Sequence, residues 1–489
     1  VRIDREELRP FRSRTAGRQV PMRRTAARLL ATAAAVVLVG SLSRAASAAP
    51  LFGESEFTLP NGLEVVVVPN HRAPSVTQMV WYKVGAADEE RGWSGVAHFL
   101  EHLMFKGTKT LKPKEFSEIV ARNGGQENAF TSWDYTAYYQ TVAVDSLPLV
   151  MQLESDRMHN LVITDEQLLP ERKVILEEWR MRIGNVPSAV LDEQVEAALY
   201  LNHPYRIPVL GWSEEMAKLD LPHERRFYDT WYAPNNAVLI VAGDVTVDQV
   251  KKLATRYYGG IPRKPIPERV RPVEPMREAD ATVELKSARV RNPLWSRVYL
   301  APSYHSGETK YAYALEVLAE VLGGGANSRL HRSLVLDQQI ATGAGAGYDP
   351  QRLDLGKFSY YVSPRAGTTI DAAAEAAQAV VAKVLSEGIT ADEVDRAKTR
   401  LQNEVFYAND SLSQPGNVIG RALATGSTLA DIDAWPDRIG AVTVDEVNAA
   451  AHALFDGKTS VTARLLPAKP GAPGTDKPMA TQILPEQIR

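Results

Sequence analysis

Two histidines four positions apart, His98 and His102, with Glu101 beside them, constrain this chain more than any other feature. They lie in the run His98-Phe99-Leu100-Glu101-His102-Leu103-Met104-Phe105-Lys106-Gly107-Thr108. Residues i and i+4 stand one above the other on a helix, so the run predicts a helix that presents both imidazoles on one face. Ser94 is the expected N-cap and Gly107 the expected C-terminal stop. Two imidazoles placed this way suit a divalent metal, most often zinc. A nearby carboxylate that does not bind the metal can take a proton from metal-bound water. The order H-x-x-E-H is the inverse of the commoner zinc motif. The competing reading is a helix whose histidines only hydrogen-bond within a core.

Catalytic zinc usually has three protein ligands and an open position, so a third ligand is expected elsewhere. Pro170-Glu171-Arg172-Lys173-Val174-Ile175-Leu176-Glu177-Glu178-Trp179 supplies candidates. Pro170 suits a first helical turn. Glu171 and Glu178 are seven apart and share a face, whereas Glu177 is turned about 100° from Glu178. A solvated acidic face has the same pattern, so the pattern alone leaves the choice open.

HFLEHLMFKGT followed by ERKVILEE resembles the pitrilysin, insulinase and mitochondrial processing peptidase family of inverted-motif zinc peptidases. The resemblance covers nearly the whole chain after the leader. It implies one zinc per chain, held by His98, His102 and the glutamate 76 positions beyond His102, which is Glu178. It implies Glu101 as the proton acceptor and Glu171 as an accessory residue that orients the site. It also implies an α+β fold of two homologous domains, each an antiparallel sheet packed by helices, forming a clam-like half-chamber that closes around substrate.

Residues 1–21 are polar and arginine-rich, and translation is expected to start at Met22. Met22-Arg23-Arg24, an apolar run from about Leu29 to Val39, and Ala46-Ser47-Ala48 read as a secretory signal peptide, so 1–48 is a leader. The apolar run is short for a membrane span, which favours cleavage over an anchor. The arginine pair also admits twin-arginine export. The expected location is periplasmic or secreted, with no span in the mature chain. An exported chain without cysteine must rely on its core and not on disulfides. The leader carries a net +7 of the formal −3, which leaves about −10 on the rest and argues against a nucleic-acid partner.

Asn61-Gly62 reads as a hairpin turn leading into a strand over Leu63 to Val68, and Val76 to Val84 reads as a second strand. Gln126 to Thr136 reads as a strand with a turn. By resemblance this is the edge strand beside the metal, where a peptide substrate pairs and Asn128, Ala129 and Phe130 make contacts. His203 reads as structural, since no partner histidine sits at ligand spacing. Residues 49–261 are the expected catalytic domain. Five prolines within 262–275 mark an extended linker. Residues 276–467 are the expected second domain, and 468–489 a loose tail.

The second half repeats the first weakly. Thr246-Val247-Asp248-Gln249-Val250 echoes Thr443-Val444-Asp445-Glu446-Val447 at an offset of 197. Leu315 to Gly323 echoes the histidine run at about 216, where His98, Glu101 and His102 become Ala314, Val317 and Leu318. The second half therefore keeps the helix and loses the metal.

The expected function is zinc-dependent endopeptidase cleavage of peptides or small unfolded proteins in the cell envelope. A non-catalytic assembly subunit and a dedicated precursor-maturation protease are the rival readings. Active relatives resemble one another in an arginine and a tyrosine, seven apart in the non-metal half, that stabilise the oxyanion. Here those positions hold Val335 and Thr342. A homologous chain without the metal motif is therefore the expected partner, supplying both donors. Tyr348 and Arg329 are the nearest local substitutes.

Overall fold

The computed structural model describes residues 50–468. The leader and its signal-peptide reading, and the tail beyond 468, lie outside the described residues. The first half holds β1 (Ser55–Thr58), β2 (Glu64–Pro69), β3 (Ser75–Tyr82), β4 (Gln126–Thr131), β5 (Thr136–Ala143) and β6 (Ala237–Gly243). Gly62, at φ +89°, turns the β1–β2 hairpin as the Asn-Gly pair predicts. The valine run of β2 is buried on both sides of the sheet. Val65 and Val67 join the core that contains the histidine helix, and Val66 and Val68 join a second core on the opposite face. The strand order is β1-β2-β6-β3-β5-β4, which places β4 at the edge.

The second half holds β7 (Ala281–Ser287), β8 (Leu294–Ala301), β9 (Ala341–Tyr348), β10 (Gly356–Pro364) and β11 (Val461–Pro467), in the order β7-β11-β8-β10-β9. This is the order β2-β6-β3-β5-β4 again, so the weak repeat in the sequence is a full repeat of topology. The sheets are not wholly antiparallel. β2 runs parallel to β6, and β7 parallel to β11. In each half the last strand returns after a long helical excursion, and such a crossover can deliver a strand parallel to the first.

Each half lends a helix to the other sheet. Helix Pro187–Leu199 buries Leu191, Val195 and Leu199 against Val298, Val461, Ala463 and Leu465 of the second sheet. Helix Gln414–Ala424 buries Ile419 and Ala422 against Met79, Trp81 and Ile240 of the first. The approach is so close that a Cβ on Gly420 would stand 2.1 Å from the Trp81 ring. Residues of both halves thus form one compact unit.

The proline-rich segment is extended, as expected, but it is a strap and not a free spacer. Arg271 reaches Asp88 (2.9 Å) and Asp134 (2.5 Å) in the first half and Asp354 (3.1 Å) in the second. The Glu274 carboxylate accepts the backbone N–H groups of Leu201, Asn202 and His203. His203 is buried with Nε2 3.0 Å from Asp354 Oδ2, in keeping with a structural role.

Candidate metal centre

The histidine helix spans Val96–Leu103 and buries Val96, Ala97, Phe99, Leu100 and Leu103 in the first core. Its N-cap is Gly95, at φ +95°, and not Ser94. That left-handed entry turns the chain sharply, and the Ser94 hydroxyl instead accepts the Trp212 N–H. The free N–H groups at the helix start go to a residue the sequence did not suggest. The Glu89 carboxylate accepts from Gly95 (2.9 Å) and Ala97 (2.8 Å). Burial, with Asp88 and Glu215 adding, pushes the Glu89 carboxyl up to about 8 against these hydrogen bonds. The helix ends at Leu103, four residues before Gly107. Gly107, at φ +112°, serves the following turn, where a Cβ would strike the Leu111 carbonyl at 2.6 Å.

The second contributing helix is Asp165–Trp179. It begins earlier than Pro170 because Thr164 and Gln167 form a capping box, so the proline falls inside the helix and not in its first turn. Glu171 and Glu178 face the histidine helix. Glu177 points outward and pairs with Arg180 at 2.9 Å. After Trp179 the helix widens into a π-helical turn, Arg180–Gly184, which carries Arg182.

Ligand atoms of His98, His102 and Glu178 lie within 4.8 Å of one another. Glu178 Oε2 is 3.1 Å from His102 Nε2 and 3.7 Å from His98 Nε2. His102 Nδ1 is 2.9 Å from Glu171 Oε1, which assigns the proton to Nδ1 and turns Nε2 toward His98 and Glu178. Burial, reinforced by His102, lowers the His98 imidazole to about 4, so it is neutral at pH 7 as a ligand must be. Burial would also lower His102, but its hydrogen bonds to Glu171 and Glu178 outweigh that and lift it to about 9. Holding a cation requires His102 to give up its Nε2 proton. Two imidazole nitrogens and one carboxylate oxygen, converging with one tautomer set from behind, fit a zinc ion.

Glu101 lies beside this cluster and outside it. Burial raises its carboxyl, while a hydrogen bond from Thr131 Oγ1 to Oε2 (2.5 Å) opposes the shift. Thr131 ends the edge strand β4, so the strand and the carboxylate are joined directly. The Asn128 carboxamide is exposed and accepts the Ala129 N–H, and Ala129 is half-buried against the first core. Phe130 is not brought to the metal side. Side chains alternate along a strand, and its ring packs on Trp81, Tyr135 and Tyr139 across the sheet.

In the second half Ala314, Val317 and Leu318 are core residues. Val335 is half-buried there, and Thr342 is exposed with its hydroxyl on the Ser363 carbonyl. The two local substitutes are already engaged. Arg329 makes two 2.7 Å hydrogen bonds to Glu393, and the Tyr348 hydroxyl donates to the Pro302 carbonyl at 2.5 Å.

Comparison with known proteins shows the family. Residues 64–212 match the family described as Insulinase (Peptidase family M16), and 219–401 match the Peptidase M16 inactive domain. The chain belongs to the M16 peptidase family. It is 32% identical over 357 residues to zinc protease PqqE of Helicobacter pylori, covering 72% of this chain and 79% of that protein. A protease from Helicobacter pylori of known crystal structure superposes with a TM-score of 0.79 at 29% identity, over 85% of this chain and 99% of that one. The periplasmic protease PqqL from Escherichia coli shares the fold, with a TM-score of 0.72 at 21% identity, over 84% of this chain and 47% of PqqL.

Proposed function

We propose that this chain is a zinc-dependent endopeptidase of the cell envelope, acting on peptides or small unfolded proteins, and that it is the metal-bearing member of a pair. The observation that carries the reading is the convergence of His98, His102 and Glu178 beside a Glu101 that is tied to an edge strand. Zinc held there would supply Lewis-acid polarisation of the scissile carbonyl and a more acidic water. Glu101, with Oε2 held by Thr131, has Oε1 to receive the proton of the attacking water and pass it to the leaving amine. Glu171 keeps the His102 ring in place. The open edge of β4 at Asn128 and Ala129 would pair with an extended peptide backbone, so recognition would be largely independent of side chains. Residues 49–261 act as the catalytic domain and 276–467 as its metal-free counterpart, with 262–275 as the strap.

Three features support a partner. Val335 and Thr342 offer no oxyanion donors of sufficient reach. Arg329 and Tyr348 are held elsewhere. The chain matches only 47% of PqqL, as one half of a larger molecule would. A donor aimed at the oxyanion is worth a factor of about 10²–10³. Export through the Ala46-Ser47-Ala48 leader would place the enzyme where PqqL is described, in the periplasm. Among the described residues no helix is long and apolar enough to cross a membrane.

The test is peptidase assay of the zinc-loaded chain alone, of a homologous chain lacking the histidine motif, and of the mixture. Activity confined to the mixture is expected. No hydrolysis under any condition, despite one zinc per chain, would favour the assembly-subunit reading.

A further inference from the structure

Two carboxylates approach the imidazoles, and only one of them belongs to the ligand cluster. Glu171 is 2.9 Å from a ring nitrogen of His102, on the side away from Glu178. We infer that Lys106 is the positioning residue that keeps Glu171 out of the metal's coordination shell and so fixes the orientation of His102. This rests on the zinc reading above and extends it to a residue outside the ligand set.

Lys106 is gripped twice by the helix Asp165–Trp179. Its carbonyl accepts the Gln167 side-chain amide at 3.0 Å, and its ammonium lies 2.5 Å from Glu171 Oε2. Gln167 and Glu171 are one turn apart, so both holds come from one face of that helix. Gln167 is itself the capping-box residue that starts the helix, and its Oε1 accepts the Thr164 N–H. The backbone of Lys106 is also fixed, since its N–H donates to the Leu103 carbonyl at the end of the histidine helix. Lys106 therefore ties together the two helices that carry all three ligands.

Both oxygens of Glu171 are occupied as a result, Oε1 by His102 Nδ1 and Oε2 by Lys106. A buried carboxylate with one oxygen unpaired would be drawn to a cation a few ångströms away. That swing would release His102 Nδ1, and the ring could then rotate. Glu178 is held differently. Its Oε1 is 3.0 Å from the Nε of the exposed Arg182, while Oε2 faces both imidazoles. The two basic residues thus sort the two glutamates, one into a support and one into a ligand. Lys106 is only 22% exposed in its side chain, so this pairing is less screened than a surface one.

The test uses the full chain, with Zn²⁺ and Co²⁺ as probes. Zn²⁺ affinity is measured by chelator competition, and ligand geometry by the visible absorption of the Co²⁺-loaded protein. Lys106→Met should weaken Zn²⁺ binding by about 10–100-fold, the usual cost of losing a partner behind the ligands, and should alter the Co²⁺ spectrum. Lys106→Arg, which keeps a cation beside Glu171, should recover affinity and spectrum relative to Lys106→Met. If Lys106→Met lowers the melting temperature of the metal-free protein but leaves Zn²⁺ affinity and the Co²⁺ spectrum at wild-type values, Lys106 is a structural tie and the inference is overturned. A wild-type chain that binds no Zn²⁺ would defeat the zinc reading itself, and this inference with it.

Discussion

The hydroxyl of Thr131 donates a 2.5 Å hydrogen bond to Oε2 of Glu101, linking the last residue of the edge strand to a carboxylate that lies beside the His98–His102–Glu178 cluster and outside it. Hydrogen bonds to charged groups contribute about 1.5–3 kcal/mol. Thr131→Val keeps the shape and removes the donor, so kcat should fall by about 10-fold or more while zinc content stays at one per chain. Steady-state kinetics with metal analysis checks this. An unchanged kcat would show that Glu101 is positioned without Thr131.

The ligand assignment separates neighbouring glutamates. Glu178→Gln should lose zinc, whereas Glu177→Gln should keep it, because Glu177 points outward to Arg180. His102→Ala should abolish binding, and Glu101→Gln should retain zinc but lose turnover, since an amide cannot accept the water's proton. Metal analysis of the four purified variants decides the matter. Equal zinc loss in Glu177→Gln and Glu178→Gln would remove the support for Glu178.

Arg271 is the point at which the strap meets both halves. Removing one member of a buried ion network costs about 3–5 kcal/mol, because the partner charges stay buried. Arg271→Ala takes from Asp134 its arginine and leaves Asp88 with Arg269 at 3.7 Å, both carboxylates having little solvent. The expected outcome is a large drop in unfolding free energy in denaturant titration, with zinc stoichiometry unaltered in the folded protein. A change within 0.5 kcal/mol, the range about usual for surface substitutions, would mean the strap is not structural.

Glu89 gives the fold a pH dependence of known sign. Burial pushes its carboxyl up to about 8 from the ordinary 4.5. A raised folded value means that its stabilising contribution is complete below about 4.5 and is lost as pH rises through about 8. Glu89→Gln removes this titration at the cost of one acceptor for the helix N-terminus. The stability gap between wild type and variant should therefore be widest near pH 5 and narrow toward pH 8. Thermal unfolding across that range tests it, and a gap that widens with pH would reverse the assignment.

The candidate site was legible in the sequence because its pattern is local. The i, i+4 spacing of His98 and His102 needs only a helix to bring two imidazoles together, and the equal facing of Glu171 and Glu178 needs only a second one. The valine run of β2, the Asn61-Gly62 turn and the loss of ligands at Ala314, Val317 and Leu318 are likewise short-range patterns. Where the reading of the helix start missed, a group outside the histidine run had intervened. Ser94 lost the helix cap to Gly95 and to a Glu89 carboxylate folded back beneath it. Strand alternation, itself a local pattern, sets the Phe130 ring against Trp81. The parallel pairs β2–β6 and β7–β11, the helices exchanged between sheets and the strap through Arg271 all join residues far apart in the chain. Such contacts depend on which surfaces meet once the elements form, and the local periodicity of a chain carries no record of that. The sequence by itself determined which residues could hold a metal. Only the tertiary structure decided which carboxylate oxygen meets which imidazole nitrogen and what holds each carboxylate in place.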